Sequence, residues 1–185
     1  NKAANELKSR LESSLGDKSS GVWATTFHSL CARILRIHAD KLGYTNHFTI
    51  YDEEDSLKVI KECLKALKVD EKIITPKGIK NLISISKDNL QDSLDSHMME
   101  DYEYSLSYKH EIYDQYQQKL KDADAMDFDD LIFNTVKLFD KFPEILEKYQ
   151  NKFKYVIIDE YQDTNDAQYI LINMLSKKSN NICVV

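Results

Sequence analysis

The sequence predicts an α/β fold that is strongly helix-rich, with a short parallel sheet. Three observations carry this. Apolar residues recur at i, i+3, i+4 spacing along most of the chain, the mark of helices with one buried stripe. Val156-Ile157-Ile158 is an unbroken β-branched run, the pattern of a strand buried on both faces of a parallel sheet. Only four Gly and two Pro occur among 185 residues, which fits a chain with few tight turns.

The elements follow in order. Residues 2–15 carry Ala3, Leu7, Leu11 and Leu15 on one stripe, and Gly16 is a natural helix stop. Residues 21–26 read as a short buried strand. They lead into a helix with Phe27, Leu30, Cys31, Ile34, Leu35 and His38 on its inner face, capped by Thr25 or Thr26. His28 lies off that stripe and is expected to be exposed at the helix start. Arg33 and Arg36 lie on the polar face, where they meet phosphates or only water. Phe48–Tyr51 is a short extended piece. Asp52 then caps a helix with Leu57, Ile60, Leu64 and Leu67 inward and four lysines outward.

Thr75 caps the next helix, with Pro76 at its first position and Ile79, Leu82, Ile83 and Ser86 inward. Residues 88–96 are polar and read as a loop. Residues 97–121 read as one long helix, with Tyr102, Leu106, Tyr113, Tyr116 and Leu120 near one stripe. Tyrosines beside lysines can stack bases, but packing at the rim of a helical bundle is the commoner use. Asp127 caps a helix that buries Phe128, Leu131, Ile132, Thr135, Val136 and Phe139. Asp129 and Asp130 in its first turn suit the helix dipole. A nuclease-like metal cluster is the sharper alternative, but no lysine is spaced along the sequence to complete one. Pro143 starts a short helix to about Lys152. Asn165 caps the last helix, with Gln168 three residues on in a capping-box arrangement and Ala167, Ile170, Leu171, Met174 and Leu175 inward. Residues 181–185 form a final strand.

The net charge of −6 announces no global affinity for nucleic acid, so any such contact must be local. The three cysteines, Cys31, Cys63 and Cys183, are too few and too scattered for a disulfide framework. All three are expected to be small buried hydrophobes in a reducing compartment. No run approaches transmembrane length and no signal peptide opens the chain, so the default expectation is cytoplasmic. The chain starts without Met inside a helical pattern and stops inside a strand pattern. Both ends read as cuts within a longer protein.

The chemistry concentrates after the β-branched run. Asp159 and Glu160 stand where that strand would end, and open α/β sheets bind ligands at the carboxyl ends of their strands. Two acids there can hold a hard Mg²⁺ ion and orient a water, the form of a Walker B element. A strand that simply ends in polar residues is the plain alternative. The longer string Asp159-Glu160-Tyr161-Gln162-Asp163-Thr164-Asn165 is more specific. It resembles motif II of the UvrD/PcrA/Rep group of superfamily 1 DNA helicases. Thr26-Phe27-His28-Ser29-Leu30-Cys31 resembles motif Ib of that family, and residues 1–7 resemble the second half of motif Ia. Asp127-Phe128-Asp129-Asp130-Leu131 resembles a segment where the chain re-enters the ATPase domain after an insertion.

The resemblance spans nearly the whole chain and implies a partial RecA-like P-loop NTPase domain with an inserted helical 1B domain. Residues 1–44 and 124–185 would be parts of RecA-like domain 1A, the second carrying Walker B, and residues 45–123 would be domain 1B. Strands 22–26, 154–159 and 181–185 would be parallel neighbours. The family couples ATP hydrolysis to 3′→5′ movement on single-stranded DNA and unwinds duplex in repair or replication. The implied cofactors are ATP and Mg²⁺, and the implied partners are single-stranded and duplex DNA and the remaining helicase domains, with no membrane. By the same carry-over Glu160 is catalytic and activates the attacking water. Asp159 is the metal ligand and lies with Gln162 at the nucleotide. Thr26, His28 and Asn1 contact the DNA strand. No GxxxxGK(S/T) phosphate loop and no motif III occur in these residues, so the chain alone is expected to be inactive as an ATPase; it is also expected to be a monomer. Two other readings stay open: a helicase–nuclease subunit of the same superfamily, and a DNA- or protein-binding module that acts without ATP hydrolysis.

Overall fold

The computed structural model describes residues 2–72, 74–92, 94 and 103–185. The chain runs α1 (Lys2–Leu15), a 3-10 turn (Gly16–Gly21), α2 (Phe27–His38), β1 (Thr49–Tyr51), α3 (Glu53–Ala66), α4 (Pro76–Asp88), α5 (Glu103–Asp122), β2 (Ala125–Asp127), α6 (Phe128–Lys141), α7 (Pro143–Lys152), β3 (Val156–Ile158), α8 (Asp166–Ser176) and β4 (Ile182–Val184).

Helices begin where the sequence supplies a side-chain oxygen. Thr26, Asp52, Thr75, Asp127 and Asn165 accept the N–H of Ser29, Asp55, Gly78, Asp130 and Gln168. Each bond satisfies one of the first-turn donors that a helix leaves unpaired. The choice between Thr25 and Thr26 therefore falls to Thr26. Pro76 and Pro143 sit in first turns, where their missing N–H costs nothing. Gly16, at φ +54°, ends α1 in the left-handed conformation that glycine adopts without strain.

Two hydrophobic clusters form the interior. The first gathers Cys31, Ile34 and Leu35 of α2, Leu131, Val136 and Phe139 of α6, Tyr149 of α7, and Leu171 and Leu175 of α8. The second gathers Ile60 and Leu64 of α3, Ile79 and Ile83 of α4, and Ile112, Tyr113, Tyr116 and Leu120 of α5. The parallel ribbon β1–β2 joins them, with Ile50 opposite Met126. Both of those residues belong to the first cluster, whereas Tyr51 and Ala125 belong to the second. Ala-Met-Asp has no strand signature, so β2 is not legible in the sequence. It is a strand only because it lies beside β1.

The second parallel ribbon pairs β3 with β4, Ile157 opposite Cys183, as the two apolar runs predicted. Several other expectations need correction. Residues 22–26 join no ladder among the described residues. A strand is held by a neighbour's hydrogen bonds, and no described strand pairs its free edge with this segment. Trp23 still anchors the segment: its ring meets Phe153 edge-on at 5.2 Å, with the Arg33 guanidinium 3.6 Å from the ring centre. β3 is not buried on both faces, since Ile157 is 72% exposed while Val156 and Ile158 are half-buried. Successive strand residues face opposite sides, and α8 packs against this ribbon but leaves the Ile157 side open. All of β4 is exposed, including Cys183, so only Cys31 and Cys63 are buried cysteines. Burial holds the Cys31 thiol up at about 12, inert as a nucleophile.

Phe128 is 50% exposed rather than buried, because the first residue of α6 precedes the stripe of Leu131, Ile132, Thr135, Val136 and Phe139 that faces the core. Ile170 is likewise exposed, and Ile172 is buried in α8 beside Leu171. The long helix is described from Glu103. Residues 97–102, Tyr102 among them, lie outside the described residues, as does the side chain of Leu106. Tyr113 and Tyr116 are buried, which selects packing over base stacking for both.

Candidate active site

The motif II segment forms a tight turn just past β3. Val185 donates its N–H to the Ile158 carbonyl at 2.9 Å, and Tyr161 donates to the Val185 carbonyl at 3.0 Å. These bonds carry the β3–β4 pairing beyond the strands and fix where the acids emerge. Glu160 sits at φ +54°, ψ +45°, a left-handed conformation that costs a non-glycine residue roughly 1–2 kcal/mol. Such strain is retained where surrounding bonds over-determine it, commonly at functional turns. Here Glu160 N–H donates to Asp159 Oδ1 at 3.1 Å, and Asp163 N–H donates to the Glu160 carbonyl at 3.0 Å. The Gln162 amide donates to the Glu160 carboxylate. Thr164 closes the turn through its N–H and its hydroxyl, both onto the Tyr161 carbonyl.

Asp159, Glu160 and Gln162 are therefore held together, and all three are solvent-exposed. No group of three His, Cys, Asp or Glu is placed to hold a metal ion among the described residues. Mg²⁺ is ordinarily held by one or two carboxylates together with substrate phosphates and waters, so this exposed pair fits that ion with a nucleotide supplying the rest.

Thr26 and His28 stand together at the start of α2. The Thr26 hydroxyl accepts from Ser29 N–H at 3.3 Å and donates to Ser29 Oγ at 3.0 Å. His28 is half-buried, not exposed as expected, because its ring packs edge-on against Phe128 with centroids 5.9 Å apart. Asn1 lies outside the described residues. Arg36 is committed to the carbonyls of Asn46 and Phe48 and to the Phe48 ring. A cavity of about 520 Å³ between α5 and α6, lined by Tyr44, Gln117, Lys121 and Asn134 among others, touches none of the motif residues. Cavity volume does not locate this site.

His28 and His38 are both held below the ordinary value of 6.5, first by burial; Asp129 opposes this at His28, while Lys148 adds to it at His38. A histidine whose folded pKa is lowered leaves the unfolded chain binding more protons once the pH drops past about 6.5. The stability it contributes is whole above that value and is lost as pH falls toward the folded pKa. We expect a lower thermal midpoint at pH 5.5 than at pH 7.5, with the gap narrowed by His28→Gln together with His38→Gln. Equal gaps in variant and wild type would assign the pH dependence to other groups.

All of residues 1–185 match the family described as the UvrD/REP helicase N-terminal domain. The chain belongs to the UvrD/REP helicase family. It is 45% identical over 185 residues to the ATP-dependent DNA helicase PcrA of Staphylococcus aureus and to that of Bacillus subtilis, and 44% identical to that of Staphylococcus epidermidis. Each match covers 100% of this chain and 25% of the relative, so the chain spans about a quarter of the length of these helicases.

For a chain of the UvrD/REP family, the acids at the start of α6 proved to be more than dipole partners. Asp127 and Asp130 form a reciprocal capping box, and both are 1% exposed. Lys87, from α4, enters between them, its Nζ 2.8 Å from Asp127 Oδ2 and 2.7 Å from Asp130 Oδ1. Tyr116 donates its hydroxyl to Asp127 Oδ2 at 2.8 Å, and Gln117 donates to Asp130 Oδ1 at 3.3 Å. Every carboxylate oxygen has a partner. Desolvation opposes charge on all three ionisable groups, but the two carboxylates keep Lys87 protonated and Lys87 holds Asp127 down at about 2. Asp130 is pushed above the usual carboxylate range by burial and by Asp127. Asp129 is taken by Lys80 at 2.6 Å.

No lysine near these acids in the sequence is spaced to join them; Lys87 lies forty residues upstream of Asp127. The one sequence signal was Lys87 directly after the inward-facing Ser86. Lys87 stands between Asp127 and Asp130, and Lys80 beside Asp129, where a cation of a nuclease-like metal cluster would sit.

Proposed function

We propose that this chain serves as part of an ATP-dependent DNA helicase that moves 3′→5′ on single-stranded DNA and unwinds duplex in repair or replication, in the cytoplasm. The reading is carried by one observation: Asp159, Glu160 and Gln162 are gathered in a strained turn at the carboxyl end of a parallel strand. Asp159 would hold Mg²⁺, which supplies charge neutralisation on the transferring phosphate. Glu160 would orient and deprotonate the attacking water. Gln162, bonded to the Glu160 carboxylate, would hold it in one rotamer at the ATP. Turnover needs further charges on the nucleotide, a phosphate-loop lysine among them, so these residues alone would not hydrolyse ATP.

Two hydrophobic clusters support a division of this kind into 1A (1–44 and 124–185) and 1B (45–123), but they change over a little inside it, within the β1–β2 ribbon at Ile50/Tyr51 and Ala125/Met126, so that Phe48 and Ile50 pack with the 1A side and Ala125 with the 1B side. Thr26, His28 and Asn1 would contact the DNA strand. The start of α2 suits that, because first-turn N–H groups favour phosphate.

The test is ATPase rate against DNA concentration in the full-length protein. His28→Ala is expected to reduce the DNA-stimulated rate much more than the basal rate, because His28 would touch the strand and not the nucleotide. Superimposable curves from a folded variant would reduce His28 to a packing partner of Phe128.

A further inference from the structure

Three residues of α4 make four polar connections to the two helices that begin at the motif segments. Lys80 pairs with Asp129, and Lys87 pairs with Asp127 and Asp130, all at the start of α6. Asp88, the last residue of α4, accepts the Asn165 side-chain amide at 2.7 Å. Asn165 is the cap of α8 and the last residue of the motif II string. One side-chain amide thus divides its two ends: its oxygen takes the Gln168 N–H at 2.9 Å, and its nitrogen holds Asp88. The same helix end that grips motif II through Asp88 grips the α6 capping box through the adjacent Lys87. The first residue of α6, Phe128, carries the ring on which His28 rests.

A continuous set of contacts therefore runs from the Glu160 turn through Thr164 and Asn165 to Asp88, then by Lys87 to Asp127, and on to Phe128 and His28. Helices and buried ion pairs in such a set move as units rather than bend, because packed interiors deform little. The segment on the motif II side is the strained turn, whose bonds an arriving or departing nucleotide would change. Asp88 touches neither proposed ligand.

We infer that Asp88 is a positioning residue that couples the motif II turn to the start of α2, so that the state of the nucleotide site sets the geometry offered to DNA and the reverse. The inference rests on the helicase reading above. It differs from that reading in assigning a coupling role to a helix of the inserted segment, which carries none of the motif residues.

The experiment compares Asp88→Ala and Asp88→Asn with wild type in the full-length protein, with basal ATPase, maximal DNA-stimulated ATPase and DNA affinity measured separately. Asp88→Asn keeps an oxygen for the Asn165 amide, whereas Asp88→Ala removes it. Asp88→Ala should leave basal turnover within about two-fold and lower the stimulated-to-basal ratio about five-fold, the range for one link in a coupled network. Asp88→Asn should restore most of that ratio. A ratio unchanged in Asp88→Ala, or basal and stimulated rates that fall together, would overturn the inference and leave the helicase reading standing. A wild-type protein without ATP turnover would overturn both.

Discussion

Glu160→Gln in the full-length protein is expected to lower ATP turnover by a factor on the order of 10² to 10⁴, the usual contribution of a positioned general base, with nucleotide binding retained. The physical basis is local. Glutamine keeps the size and rotamers of glutamate, so it can stay in the left-handed turn and go on facing Gln162. It cannot accept a proton from water. The measurement is steady-state hydrolysis beside nucleotide affinity for the same two proteins. Loss of affinity in parallel with turnover would make Glu160 a structural member of the turn. Glu160→Gly serves as a control: it relieves the backbone strain at φ +54° and should be at least as stable as wild type while equally inactive.

Lys87→Met should be strongly destabilising, at about 3–5 kcal/mol, the cost of removing one partner from a buried ion pair. Methionine fills the lysine's volume, but Asp127 and Asp130 then face each other without a cation. Asp130 already sits above the ordinary carboxylate range. In the variant it is expected to take a proton well before Asp127. A carboxylate whose folded pKa exceeds its unfolded value stabilises the fold as pH drops through that folded value. The deficit of Lys87→Met against wild type should therefore shrink on acidification, and adding Asp130→Asn should recover part of it at pH 7. Denaturant unfolding at pH 7 and pH 5 reads both effects. A deficit near 1 kcal/mol, independent of pH, would mean that the site rearranges to admit water.

The two changes act on different links of the chain from sequence to function. On the proposed reading Glu160 belongs to chemistry, and it is exposed, so its loss should barely affect unfolding. Lys87 belongs to packing, yet it is one residue from Asp88 and therefore from the proposed coupling path. Its stability effect and any effect on DNA stimulation need separate readouts, because a partly unfolded population lowers every activity alike.

What the sequence determined by itself was local. Apolar spacing, and for α7 the helix-starting Pro143, located all eight α-helices of the described residues, and short polar residues marked where most of them begin. Those features depend on bonds within one turn, which are encoded within four residues. The motif II string marked the candidate site for the same reason, since its chemistry requires adjacent residues at a strand end. Only the tertiary structure decided whatever depends on distant neighbours. Residues 22–26 join no ladder among the described residues because a ladder requires a second strand. β2 is a strand because β1 lies beside it, and Ile157 is exposed because α8 packs against the β3–β4 ribbon without covering that side. Lys87 is charged and buried because two carboxylates forty and more residues away fold onto it. Each is a pairing across the chain, whose energy comes from desolvation and contact between segments, and no local spacing records which segments will meet.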